Sequence, residues 1–118
     1  MSNPRLGLIG KSLKHSFSKN FFQEFFIKEK LSGSYENLEF DRIEDMRFFF
    51  ESGISDFHGL NVTIPFKEKV IPLLDEIDEL AKKIGAVNTI KVVGSKTIGF
   101  NTDAFGFHQS IKPFLTNK

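Results

Sequence analysis

Residues 6–40 read LGLIGKSLKHSFSKNFFQEFFIKEKLSGSYENLEF, and the fold turns on them. Leu6-Gly7-Leu8-Ile9 is a short apolar run ended by Gly10, the pattern of a buried strand. Lys11 to Phe17 is a polar loop. After Ser18, Phe21, Phe22, Phe25 and Phe26 recur at helical spacing until Gly33 closes the segment. Tyr35 to Phe40 is strand-like again. Strand, helix and strand in this order imply parallel strands with helices packed against the sheet.

The alternation continues outward. Asp41 can cap a second helix carrying Ile43, Met46, Phe49 and Phe50, with Gly53 as its stop. Phe57 to Val62 reads as a third strand that leads into Thr63-Ile64-Pro65, where Pro65 suits a first helical turn. That helix carries Val70, Ile71 and Leu74, and Pro72 should kink or divide it. Ile77, Leu80, Ala81 and Ile84 form another apolar stripe, stopped by Gly85. Ala86 to Val93 and Thr97 to Phe100 are strand-like and joined by Gly94-Ser95, which suits a hairpin. Asp103 opens a last helix that runs toward Ile111, before Pro113. The predicted order is β-α-β-α-β-α-α-β-β-α. This is an α/β fold with an open, mixed, mainly parallel sheet and helices on both faces, a βαβαβ start plus a hairpin. A single domain spans residues 1–118, with no repeat, low-complexity segment or internal linker.

Composition narrows the function. A chain of 118 residues holds one domain with a real core and not two. Sixteen basic residues against 15 acidic ones give a formal charge of +1, so no electrostatic argument favours nucleic acid or an anionic membrane. The absence of cysteine excludes disulfides and thiolate metal sites and fits a cytoplasmic protein. Met1 to Arg5 lacks signal-peptide architecture, and no apolar stretch is long enough to span a bilayer. Fifteen Phe beside one Tyr and no Trp read as a Phe-packed core. His15, His58 and His108 are too scattered for a metal site. Gly10-Lys11-Ser12 follows a strand, but a phosphate loop needs a further glycine where Arg5 stands. No G-x-G-x-x-G occurs, so nothing in these residues is built to hold a dinucleotide. The acidic stretch Asp75, Glu76, Asp78, Glu79 reads as a solvated helix face.

Four polar clusters fall at strand ends or helix starts: His15-Ser16-Phe17-Ser18, Asn61-Val62-Thr63-Ile64-Pro65-Phe66-Lys67, Gly85-Ala86-Val87-Asn88-Thr89 and Gly99-Phe100-Asn101-Thr102-Asp103. Open α/β sheets bind ligands beyond the carboxyl ends of their strands. Asn88 fits that rule less simply, since it lies early in its strand. Ser16 and Ser18 flank a helix start, which favours a carboxylate. Asn61, Thr63, Asn88 and Thr102 are neutral groups suited to hydroxyls. Lys67 and Asp103 are the charged pair, able to exchange a proton with an alcohol or ketone oxygen. The chemistry suggests a small polyhydroxy carboxylate. Singly, each residue also has a structural role open to it. Ser18 and Asp103 are good N-caps, Asn61 and Thr63 suit the Pro65 turn, Lys67 suits a solvated surface, and Asn88 suits a strand.

In combination these motifs closely resemble the successive motifs of shikimate dehydrogenases, from about Leu6 to about Gly106. The resemblance implies the family's mixed-sheet substrate domain and a cytoplasmic enzyme of aromatic amino-acid biosynthesis. It implies that Ser16 and Ser18 hold the substrate carboxylate. Asn61, Thr63, Asn88 and Asp103, with Thr102, would contact the hydroxyls of shikimate or 3-dehydroshikimate. Lys67 would be the acid–base residue, with Asp103 orienting it. The cofactor would be NADP, bound by a second domain missing from this chain, so that the chain alone is expected to be inactive. The exposed apolar surface would favour self-association, a homodimer for instance. Lys19 and Ser12 stand where family members commonly have proline, which loosens the loop around Ser16 and Ser18. Competing expectations are a quinate or quinate/shikimate relative, a non-catalytic module for shikimate-like acids, and a structural domain with no small ligand.

Overall fold

The computed structural model describes residues 5–11, 23–24, 27 and 33–103. Strands β1 (Arg5–Gly10), β2 (Ser34–Glu39), β3 (Gly59–Val62), β4 (Glu76–Ile77), β5 (Thr89–Val93) and β6 (Lys96–Phe100) form a six-stranded sheet ordered β2-β1-β3-β5-β6-β4. Helices α1 (Ile43–Ser52) and α2 (Glu79–Ile84) and two 3-10 turns, Ile54–Asp56 and Ile71–Leu73, complete the described elements. β1 pairs in parallel with β2 and β3, and β4 with β6, whereas β5 runs antiparallel to β3 and β6. The α/β class and the mixed sheet agree with the sequence reading, and the parallel character belongs to three of the five pairings. Of the predicted first helix, Gln23, Glu24 and Ile27 are helical, and the rest lies outside the described residues. So does the predicted last helix beyond Asp103.

Alternation along the strands sorts the side chains onto two faces. Ile9, Leu60, Val62 and Ile90 share a buried cluster with Met46 of α1 and Ala81 of α2, so both described helices cover that face. Leu8 and Tyr35, with Leu6 packed against them, form a second cluster. Of the described phenylalanines, Phe57 and Phe66 are buried in the first cluster and Phe40, Phe49 and Phe50 pack against it, whereas Phe48 is exposed. Phe49 lies 5.6 Å from both Phe40 and Phe57, ring centroid to centroid, and Phe50 meets it edge-on at 6.0 Å.

Local signals account for most boundaries. Gly53 ends α1 by donating its N–H to Phe49 O at 2.8 Å. Asp41 does not cap this helix: Arg42 holds the N-cap position and makes no side-chain cap bond. Glu44 and Asp45 in the first turn supply the negative charge that the helix start favours. In α2, the Asp78 side chain accepts from Leu80 N–H at 3.1 Å, and Gly85 closes the helix at φ 80°. The β5–β6 hairpin turns at Gly94, with φ 65°, and pairs Val93 with Lys96.

The predicted helix after Pro65 does not form. Ile64–Pro65 is a cis peptide, and Phe66 N–H donates to Thr63 O at 3.0 Å, closing a turn. From there to Leu74 the chain advances by tight turns. Ile71 donates to Glu68 O, Leu73 to Val70 O and Leu74 to Ile71 O. Pro72 lacks an N–H and its ring would clash within a helix, and the β-branched Val70 and Ile71 add to the bias. The acidic stretch is also not one solvated helix face. Asp75 accepts from Thr97 N–H at 2.8 Å and from Thr97 Oγ1 at 3.2 Å. Glu76 lies in β4, where it pairs with Lys96 and raises the ammonium pKa by hydrogen bonding. These bonds stitch β4, unforeseen in the sequence, to the edge of β6.

Candidate functional site

The sheet brings three of the four polar clusters to one rim. β1, β3 and β6 point the same way, so Asn61 near the end of β3, Thr63 just beyond it, and Asn101, Thr102 and Asp103 after β6 lie at their carboxyl ends. β5 runs the other way, so its start joins that rim. Asn88, just before β5, therefore belongs with the carboxyl ends although it precedes its own strand. Register pairs Asn61 with Thr89 and Thr89 with Phe100, which aligns the three segments.

The backbone fixes these segments to one another. Val62 N–H donates to Asn88 O at 2.9 Å, and Asn88 N–H donates to Phe100 O at 3.0 Å. Thr63 N–H donates to Ile9 O at 2.9 Å, anchoring the turn that follows to the end of β1. Val87 N–H donates to Lys67 O at 2.8 Å, which holds the Lys67 backbone beside the segment leading to Asn88. Asn101 Nδ2 donates to Ala86 O at 3.2 Å and ties down the third segment.

Side chains converge on Asn88, which is 9% exposed. Its Oδ1 accepts from Thr102 N–H at 2.9 Å, Thr102 Oγ1 at 3.1 Å and Thr89 Oγ1 at 3.0 Å. Asn61 Oδ1 is hydrogen-bonded by Tyr35 Oη at 3.0 Å. Thr63 and Lys67 are half-buried, while Thr102 and Asp103 are exposed. Lys67 lies in the turns after β3 and Asp103 in the helical start after β6, and the two form no ion pair within 4.0 Å. Ser16 and Ser18 lie outside the described residues. Two contributors carried no assigned role in the sequence reading. Thr89 closes the Gly85–Thr89 motif, and Tyr35 is the single hydroxyl-bearing ring among the aromatics.

The rim thus combines a half-buried lysine, a carboxylate, three asparagines and three threonines. It can hydrogen-bond several hydroxyls at once and offers one amine for proton exchange. A cavity of about 460 Å³ adjoins it at Thr89 and Thr102 and runs past Phe100 and Lys91 to His58. Its walls are mainly apolar, and neither Lys67 nor Asn88 lines it. The polar rim is therefore the better candidate for a hydroxy-acid ligand. No helix among the described residues is long and apolar enough to cross a membrane.

Comparison with known proteins points the same way. The family model of the shikimate dehydrogenase substrate binding domain matches residues 8–90. The shikimate dehydrogenase (NADP(+)) of Staphylococcus haemolyticus is 39% identical over 110 residues, covering 92% of this chain and 40% of that protein. A crystal structure of shikimate 5-dehydrogenase from Thermus thermophilus in complex with NADP(H) and shikimate superposes with a TM-score of 0.80 and 34% identity, over 93% of this chain and 42% of that one. Quinate dehydrogenase from Corynebacterium glutamicum in complex with NAD gives a TM-score of 0.78 and 32% identity, over 98% of this chain and 43% of that one. The chain spans about two-fifths of the length of the curated relatives it matches.

Proposed function

Since the chain belongs to the shikimate dehydrogenase substrate-binding domain family, we propose that its rim is the substrate site of an NADP-dependent shikimate dehydrogenase. The observation that carries this is the convergence of Asn61, Thr63, Lys67, Asn88, Thr102 and Asp103 on one rim of the sheet. Shikimate is a small ring acid with several hydroxyls, and a rim rich in neutral donors and acceptors suits it.

In this reading Asn61, Thr63, Asn88, Thr102 and Asp103 engage the ring hydroxyls, and Ser16 and Ser18 take the carboxylate. Lys67 is the acid–base residue: it gives its proton to the carbonyl oxygen of 3-dehydroshikimate during reduction and takes it back during oxidation. Asp103 orients Lys67 and the reacting oxygen across the site. The G-x-G-x-x-G fingerprint of a dinucleotide site does not occur in the sequence. NADP, when bound by the remainder of such an enzyme, carries the hydride. What this chain's residues do is bind, orient and move the proton. These 118 residues alone are therefore expected to bind without turnover, because hydride transfer needs both reactants in near-attack geometry. A cytoplasmic location and self-association through apolar surface complete the proposal, and the cysteine-free composition fits the former.

The test is an amide NMR titration of the isotope-labelled chain with shikimate. Saturable shifts centred on Thr63, Asn88, Thr102 and Asp103 are expected. Silence at millimolar shikimate from a folded sample, with a response to quinate instead, would reassign the substrate; silence to both would remove the rim as an autonomous site. Joined to a nucleotide-binding domain, the chain should reduce 3-dehydroshikimate, and Lys67→Ala should lower that rate by about 10²–10⁴-fold.

A further inference from the structure

We propose that Thr102 and Thr89 are positioning residues that lock the Asn88 amide in one orientation, so that Asn88 offers a ligand only its Nδ2 donor. The inference rests on reading the rim as the substrate site and adds what Asn88 can recognise there. Asn88 would accept only a ligand oxygen with a free lone pair at that point, a hydroxyl or carbonyl oxygen, and would reject a group that is solely a donor.

The orientation follows from one contact that cannot reverse. A main-chain N–H is a donor and nothing else, and that of Thr102 lies 2.9 Å from the outer amide atom of Asn88. That atom is therefore the oxygen. The hydroxyls at 3.1 Å (Thr102) and 3.0 Å (Thr89) face the same oxygen and so donate to it. The two hydroxyl oxygens lie 3.4 Å apart and close a triangle around it. A flipped amide would set Nδ2 against a main-chain N–H and lose that bond in a buried setting. Tyr35 and Asn61 lack this constraint, because a phenol can donate or accept.

The opposite end of the amide takes no part in these bonds. Asn88 is 9% exposed, and among the described residues all its side-chain bonds run through Oδ1 and none through Nδ2. With Oδ1 turned to Thr102, Nδ2 is the end of the amide that can donate to a ligand oxygen. Only proline would remove the Thr102 N–H, and it would disturb the backbone as well, so the hydroxyls are the adjustable part of the lock.

Two readouts on the labelled chain test this. One is the NOE between the Asn88 Nδ2 protons and the Thr102 amide proton in the free chain, which strengthens when the amide flips and turns Nδ2 toward that N–H; the other is shikimate affinity. In the double variant Thr89→Val with Thr102→Val, the NOE should strengthen and affinity fall by about tenfold. Thr89→Val alone, at a residue given no ligand contact, should move both readouts in the same direction. Serine at both positions should restore both. Asn88→Asp keeps an acceptor toward Thr102 and turns the donor into a second acceptor, so it should weaken binding further with the backbone spectrum preserved. An unchanged NOE in the folded double-valine chain would overturn the lock, and wild-type affinity in Asn88→Asp would overturn the donor role of Nδ2. If the unaltered chain binds no shikimate, the substrate reading fails, while the NOE alone still decides the lock.

Discussion

A Cβ built on Gly99 would lie 2.6 Å from Leu74 Cδ1 and 2.9 Å from Val87 Cγ2. Leu74 could swing away, but Val87 is fully buried and β-branched, with little freedom to yield. Gly99→Ala should therefore destabilise the chain by about 1–3 kcal/mol, read as a lower urea midpoint with an unchanged slope. Because Val87 precedes Asn88, the same variant should shift the Asn88 and Thr102 amide signals. The glycine was visible in the Gly99–Asp103 motif, yet its reason was not, since Leu74 and Val87 meet it only through the fold. Asn88 shows the same limit. Its type and motif were plain, but its place at the rim depends on β5, and not β6, being the strand that runs backward, which the hairpin signal at Gly94-Ser95 does not settle.

At the level of elements, α2 offers a clean measurement of what its punctuation contributes. Asp78 accepts the Leu80 N–H, and Gly85 holds a left-handed φ of 80° with open space around its Cα. Asp78→Ala should cost about 0.5–2 kcal/mol through the lost cap. Gly85→Ala should cost about 1–2 kcal/mol through backbone strain alone, since no atom would clash with the added methyl. Thermal unfolding of the two single variants and the double checks both values, and near-additivity is expected because the helix ends share no partner. Such punctuation is why α2, the stop of α1 and the hairpin were legible: a glycine or cap acts within its own turn. The segment from Pro65 to Leu74 was not legible as turns, because its apolar spacing imitates a helix. β4 was hidden for another reason. Two residues carry no periodicity, and Glu76–Ile77 becomes a strand only because Asp75 and Asp78 bond to β6.

Across the whole molecule, the two faces of the sheet hold separate clusters among the described residues, and this lets stability be measured apart from the proposed recognition at the rim. Met46 is fully buried among Ile9, Phe57, Leu60 and Ile90, on the face covered by α1 and α2. Tyr35 is on the other face, 3% exposed, and its hydroxyl reaches across β1 to Asn61 on the rim. Met46→Ala should cost about 2–5 kcal/mol, since it opens a cavity that close packing cannot fully refill. It leaves every rim contact in place, so the folded fraction should bind shikimate with unchanged affinity. Tyr35→Phe removes one oxygen and should cost about 0.5–1.5 kcal/mol. It also frees the Asn61 amide, so affinity should fall although the loss of stability is smaller. Paired urea unfolding and NMR titration at a temperature where both variants are folded give all four quantities. An affinity loss that tracks stability in both would mean that the rim merely reports the state of the core. Normal affinity in Tyr35→Phe would make Asn61 a structural partner of Tyr35 and remove it from the proposed ligand contacts.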